Sequence, residues 1–142
     1  MDFVVETPMV SVHILTYNQE SFIRQTLDSI VNQVTDYSFE VIIGEDCSSD
    51  NTHLICQEYV DRYPNVKFAP QDHNLGLVGN YLNCINHSKG KYIMGCAGDD
   101  FWHNPQKIQL QVDFMESHPD CILCHTDNDV LYEKSGKIVH GQ

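Results

Sequence analysis

The sequence predicts an α/β fold, a mostly parallel sheet flanked by helices. Three observations carry that prediction. Apolar runs of strand length alternate about five times with segments whose apolar residues recur at helical spacing. The run Phe39-Glu40-Val41-Ile42-Ile43-Gly44 is nearly all apolar, as a strand buried on both faces must be. After four of the strands the chain switches to a short polar cluster, and in open α/β sheets ligands bind beyond the carboxyl ends of the strands.

Taken in order, Val10 to Leu15 (VSVHIL) mixes β-branched and apolar residues and reads as the first strand, entered after Pro8. TYNQ ends it. From Ser21 to about Asn32 the pairs Phe22/Ile23, Thr26/Leu27 and Ile30/Val31 recur every four residues, which predicts a helix capped by Asn18 or Ser21. Phe39 to Gly44 is the second strand, ending in Glu45-Asp46-Cys47-Ser48-Ser49-Asp50. A second helix follows from Thr52 to Tyr63, capped by Asp50 or Asn51, with Ile55, Cys56 and Tyr59 inward; Pro64 stops it.

Val66 to Ala69 is a short third strand, and QDHNLGLVGN a Gly/Asn loop. The third helix spans Val78 to His87 with Leu82 and Ile85 inward. Lys91 to Cys96 reads as a buried fourth strand. Pro105 suits the first position of a helix running to Ser117, with Ile108, Val112 and Met115 on one face. Cys121 to Thr126 is a predicted fifth strand, and the last fifteen residues suggest a hairpin around Ser135-Gly136.

At 142 residues the chain fits one domain with a real core. Its net charge of -12 argues against nucleic-acid binding, which needs a basic surface. The same charge repels a phosphate ligand unless a metal bridges carboxylates to it. No apolar run has membrane-spanning length, and MDFVVETP carries an acid where a leader peptide needs a base, so the expected location is cytoplasmic. The six cysteines (Cys47, Cys56, Cys84, Cys96, Cys121, Cys124) sit mostly singly in apolar segments, as reduced buried thiols do.

The chemistry concentrates in Tyr92 to Trp102, YIMGCAGDDFW. Asp99 and Asp100 are adjacent carboxylates at a strand end, where like charges raise each other's pKa. A hard divalent cation, Mg²⁺ or Mn²⁺, is the usual remedy. A lone Asp-Asp is more often a solvated turn; this one stands fourth in a row of strand-end clusters (TYNQE, EDCSSD, HNLG, GDD), and that convergence favours a site. The chain has neither a P-loop nor a G-x-G-x-x-G after its first strand.

VSVHILTYNQESFIRQTLDSIVNQ, FEVIIGEDCSSDNT, NLGLVGNY and YIMGCAGDDFW, in that order, resemble the motifs of glycosyltransferase family 2 over about Pro8 to Thr126. These are nucleotide-sugar-dependent transferases with a GT-A fold, a Rossmann-like sandwich. The resemblance implies a first nucleotide-contacting loop at Thr16, Tyr17 and Asn18, with Glu20 close by. Asp46 matches the acid that hydrogen-bonds uracil or another base. Asn74 and Gly76 match the loop near base and diphosphate, Asp99 the ribose contact, and Asp100 the ligand of Mg²⁺ or Mn²⁺ in a D-x-D-like motif.

Two positions depart from the pattern. Ala97 stands where a further acid is common, and Cys47 stands where glycine is common, which restricts φ > 0 there. The family's inverting members take the acceptor proton with an acid well downstream. Asp127 and Asp129 come too soon to match it, so no catalytic base is assigned and one is expected beyond Gln142.

The resemblance thus implies the donor-binding part of a glycosyltransferase in glycan or polysaccharide biosynthesis, truncated at its C-terminus. It would transfer sugar from a nucleotide-diphosphate donor, a UDP-sugar first of all, to a glycan, lipid-linked or other hydroxyl acceptor. Missing C-terminal residues would take it to the inner membrane face. The alternative is a non-catalytic nucleotide-sugar-binding or assembly module.

Cys121-Ile122-Leu123-Cys124-His125 also fits C-x-x-C-H haem attachment, or a zinc site with His118. In a strand, however, side chains three apart point to opposite faces. Two buried thiols and a strand-end histidine are the preferred reading. His13 reads as a hydrogen-bonded core residue, while His73 and His103 lie in the ligand-facing loops. Trp102 is open between stacking on a ligand and a structural place.

Overall fold

The computed structural model describes residues 7–141. The N-terminal run considered for a leader lies almost wholly outside them. The chain forms two compact units, one up to Leu110 and one from Gln111.

The first unit is built on a four-stranded parallel sheet of order β3-β2-β1-β4. Its strands are β1 (Val10–Thr16), β2 (Phe39–Glu45), β3 (Val66–Phe68) and β4 (Tyr92–Ala97). Helices α1 (Ile23–Val31), α2 (Thr52–Arg62) and α3 (Gly76–Asn86) form the crossovers that parallel pairing requires. This is the predicted α/β sandwich. β1 and β2 are central and buried along nearly their whole length, as their unbroken apolar runs require. Val10, Val12, Ile14, Val41, Ile42 and Ile43 are fully enclosed. α3 packs on β1 and β2. There Ile42, Ala69, Cys84 and Leu15 cluster, and a side chain on Gly44 would collide with Asn80 and with the Cys84 sulfur.

α4 (Lys107–Ser117) begins after Pro105 and buries Ile108, Val112 and Met115, the face its spacing predicts. In the second unit β5 (Val130–Tyr132) and β6 (Lys137–Val139) pair antiparallel around a turn in which Gly136 takes φ 65°. That hairpin was legible from Ser135-Gly136.

Several local expectations are corrected. Residues 121–126 form no strand, and Ile122 and Leu123 are 97% and 79% exposed. An apolar run becomes a strand only where a partner edge satisfies its backbone, and in this unit β5 and β6 satisfy each other instead. β4 is an edge strand with one face open, Ile93 being 46% exposed, rather than a buried one.

α3 turns Asn80 and Cys84 inward and leaves Leu82 exposed. Its buried row is set by what fits over Gly44, not by the largest apolar residues. In α2, Thr52, Cys56 and Tyr59 are the buried residues, with Ile55 half-buried beside them. No side chain caps α1. Asn18, proposed as its cap, is in the left-handed region at φ 52° and bonds the neighbouring loop.

Candidate functional site at the strand ends

β1, β2 and β4 end nearly level, with Thr16 opposite Glu45 and Leu15 opposite Ala97. The three following loops therefore start from one edge. The loops after β1 and β2, the loop between β3 and α3, and the end of β4 itself border a cleft of about 540 Å³ lined by Thr16, Tyr17, Asp46, Asn74, Gly76 and Asn80 among others. Thr16, Tyr17, Asp46, Asn74 and Gly76 are thus brought together as the sequence suggested. Asn18, Glu20, Asp99 and Asp100 lie outside the lining.

The loops after β1 and β2 are latched together. The Asn18 backbone N–H donates to Ser48 Oγ (2.9 Å), and Asn18 Oδ1 accepts the Ser49 N–H (2.8 Å). Glu20 Oε2 accepts the Asn51 N–H (2.8 Å), while the Glu20 N–H donates to Asp50 Oδ2 (3.1 Å). The Gln19 N–H donates to Thr52 Oγ1 (2.8 Å). Asn18 and Glu20 therefore spend these side-chain atoms on loop geometry. Cys47 sits between them in the left-handed region at φ 59°, so the chain imposes on a cysteine the conformation that favours glycine.

Asp46 is 4% exposed and held from three directions. Its N–H donates to the Thr16 carbonyl (3.0 Å). Its Oδ1 accepts both Gln71 Nε2 (2.9 Å) and the Leu75 N–H (2.7 Å), and its carbonyl accepts Asn74 Nδ2 (2.9 Å). Gln71 also donates to the Glu45 carbonyl (2.8 Å). One carboxylate oxygen is thus fixed by the loop after β3.

The cleft continues beneath α3, where His13 and Asn80 are buried. Ser88 Oγ donates its proton to the Cys84 carbonyl (2.9 Å), so in the 2.6 Å contact it must accept from His13 Nε2–H. With the hydroxyl proton so placed, Nδ1 is a bare acceptor, without a partner among the described residues, as is Asn80 Oδ1. Burial holds the His13 imidazole below the usual histidine range against the opposing pull of Glu40. The expected hydrogen-bonded core histidine is found.

At the end of β4, Gly98 turns the chain toward Asp99 and Asp100. A side chain there would meet Thr16 Oγ1 at 2.6 Å and also strike Gln19. The Asp100 carboxyl is raised above the usual aspartate range by burial, and further by the Asp99 charge. Among the described residues no cluster of three His, Cys, Asp or Glu forms a closed metal cage. The carboxylate oxygens of this turn are the ligand type that suits a small hard cation able to complete its shell from other oxygen donors. Burial pushes the adjacent Cys96 thiol up to about 12, so it is inert at neutral pH. Cys124 Sγ accepts Gln111 Nε2 at 3.3 Å.

Sequence reasoning missed Gln71, Asn80 and Thr26. An asparagine inside the apolar helix α3 and a glycine ending the buried strand β2 were the available signal for Asn80. Gln71 and Thr26 act on backbone far away in sequence and left no local trace.

The family model described as Glycosyl transferase family 2 matches residues 11–135. An uncharacterized protein of Mycobacterium bovis is 37% identical over 130 residues, which are 90% of this chain and 37% of that protein. Chondroitin synthase of Escherichia coli is 30% identical over 135 residues, 94% of this chain and 19% of that enzyme. The structure of S. aureus TarS 1-349 in complex with UDP-GlcNAc superposes with a TM-score of 0.69 at 27% identity, covering 78% of this chain and 32% of that one. The chain thus spans well under half the length of these relatives. The match runs from β1 to the turn of the β5–β6 hairpin, and with it the chain belongs to glycosyl transferase family 2.

Proposed function

We propose that this chain binds the donor in a glycosyl transfer from a nucleotide-diphosphate sugar, a UDP-sugar first of all, to an acceptor hydroxyl. The observation that carries the reading is the cleft at the level ends of β1, β2 and β4, with Asp46 clamped at its rim. The likeness to S. aureus TarS 1-349, whose structure holds UDP-GlcNAc, supports it.

Asp46 receives both loop donors on Oδ1, which leaves Oδ2 to accept an N–H from the base. Uracil presents such an N–H. Tyr17, half-exposed at the mouth, offers a ring face to the base, and Thr16, Asn74 and Gly76 line the path beside it. Asn18 and Glu20 serve by latching this loop to the next. Asp99 would accept from a ribose hydroxyl, and Asp100 would hold Mg²⁺ or Mn²⁺ beside the diphosphate. When bound, that ion supplies Lewis-acid stabilisation of the charge on the leaving diphosphate. It also reconciles an anionic donor with a chain of net charge -12.

Titration of UDP into the protein with and without Mn²⁺ tests the reading. Asp100→Ala is expected to abolish the metal-dependent part of binding, and an unchanged affinity would refute the assignment. Donor hydrolysis or transfer by the chain would establish turnover. Binding without either would mark a recognition module.

A further inference from the structure

Helix α1 and the residues just after it carry a polar row, Thr26, Ser29 and Gln33, at the i, i+3, i+7 spacing that places residues on one helix face; Thr26 and Gln33 are buried and Ser29 half-buried. Gln33 lies just past the helix end at Val31. These side chains engage the backbone of a single distant segment. The single Thr26 Oγ1 proton is shared between the carbonyls of Gly98 (2.9 Å) and Asp100 (2.6 Å). Ser29 Oγ accepts the Trp102 N–H (3.1 Å). Gln33 Nε2 donates to the Asn104 carbonyl (2.9 Å), and Gln33 Oε1 accepts the Ile108 N–H (3.1 Å). Every second residue from 98 to 104 is held this way.

Thr26 is the member that reaches the acidic turn. It is 1% exposed, so its hydroxyl must find its partner in the protein, and it finds the two carbonyls that flank Asp99. From the other side Gly98 is pressed against Thr16, with no room for a methyl group. The turn is therefore held between β1 and α1. A small hard cation accepts little deviation from octahedral geometry, so its carboxylates need to be placed beforehand.

We propose that Thr26 is a positioning residue for the acidic pair, its hydroxyl fixing the Gly98 and Asp100 carbonyls and so the direction in which the Asp99 and Asp100 carboxylates leave the turn. The inference rests on the metal reading of Asp100. The step is conformational and moves no bond.

Two comparisons isolate the hydroxyl. Thr26→Val keeps the shape and removes the hydroxyl. Thr26→Ser and Thr26→Ala both lose the methyl and differ only in the hydroxyl, so this pair decides the matter even if Thr26→Val does not fold. Mn²⁺ is titrated in the presence of UDP, read by the EPR signal of free Mn²⁺, and UDP is titrated separately without metal. Thr26→Val and Thr26→Ala are expected to weaken Mn²⁺ binding about tenfold, the lower end of what losing an outer-shell partner costs. Metal-free UDP binding, which draws on this turn only through the Asp99 ribose contact, should fall much less than Mn²⁺ binding, and Thr26→Ser should retain Mn²⁺.

Equal Mn²⁺ affinity in Thr26→Ser and Thr26→Ala would overturn the role of the hydroxyl. So would a loss of metal-free UDP binding as large as the loss of Mn²⁺ binding, which marks general disorder. Asp100→Ala separates the two levels. If it binds Mn²⁺ as the wild type does, the metal reading falls and Thr26's role with it. If it loses Mn²⁺ while Thr26→Val and Thr26→Ala do not, the positioning role alone falls.

Discussion

Asp46→Asn separates recognition from stability more cleanly than truncation to alanine. In Asp46→Ala the half-buried Leu75 N–H loses its acceptor, at up to about 1–3 kcal/mol if it is left unsatisfied. Gln71 loses less, because it keeps the Glu45 carbonyl. A weakened nucleotide affinity in that variant would be confounded by a loosened loop. Asparagine retains a carbonyl oxygen for both donors and replaces only the other carboxylate oxygen, turning a charged acceptor into a donor. A hydrogen bond to a charged group contributes about 1.5–3 kcal/mol, so the UDP dissociation constant should rise by roughly 10- to 150-fold.

Calorimetric titration in chelator, with no metal present, reads this step alone, and thermal unfolding should show the variant close to the wild type. The base supplies a second, sharper readout. In the proposed contact uracil would present N3–H to Asp46, whereas cytosine has a bare N3 that an asparagine N–H can satisfy. Asp46→Asn should therefore lose UDP and keep or gain CDP. Wild-type UDP affinity in the variant, or equal losses of UDP and CDP, would refute the base contact.

Cys47→Gly should stabilise the protein by about 0.5–1 kcal/mol, since the left-handed penalty exceeds the entropy glycine adds to the unfolded chain; denaturant unfolding checks it. The His13 imidazole is held below its ordinary value of 6.5. Its contribution to stability is therefore present above that pH and lost as pH falls through the lower folded value. Thermal unfolding at pH 7 and pH 5 should show this loss in the wild type and less of it in His13→Gln, whose amide can still donate to Ser88. The Asp100 carboxyl has the opposite sign, being raised. Asp100→Asn should raise the metal-free melting temperature slightly at neutral pH, and the gain should vanish at pH values where both forms are uncharged.

Much of this architecture was legible from residues alone, because parallel sheets write their burial into uninterrupted apolar runs. FEVIIG is the central strand it resembles, and Ile108, Val112 and Met115 form the buried face of α4 that their spacing predicts. The polar clusters were readable too, since an apolar run that switches to EDCSSD has reached the end of its strand, although Glu45 and Asp46 are themselves buried there.

What escaped was anything decided by a neighbour distant in sequence. Leu82 has the right period but lies outside the row that fits over Gly44. Ile122 and Leu123 have strand composition but no strand pairing. Gln71 and Thr26 look like ordinary polar residues until the segments they bond, some 25 and 72 residues away, are folded beside them.

The strand order carries a consequence for how the chain comes to be folded. β1 is made first, yet it lies between β2 and β4, and its pairing with β4 joins Val10 to Tyr92. During synthesis at about 5–20 residues per second, one edge of VSVHIL waits several seconds for its neighbour to emerge. Contacts so remote in sequence form slowly, and a β-branched strand with a bare edge is the kind of segment that pairs wrongly in the interval. The placement that puts the first loop at the heart of the cleft also leaves the nascent chain most exposed to aggregation before residue 97 is made.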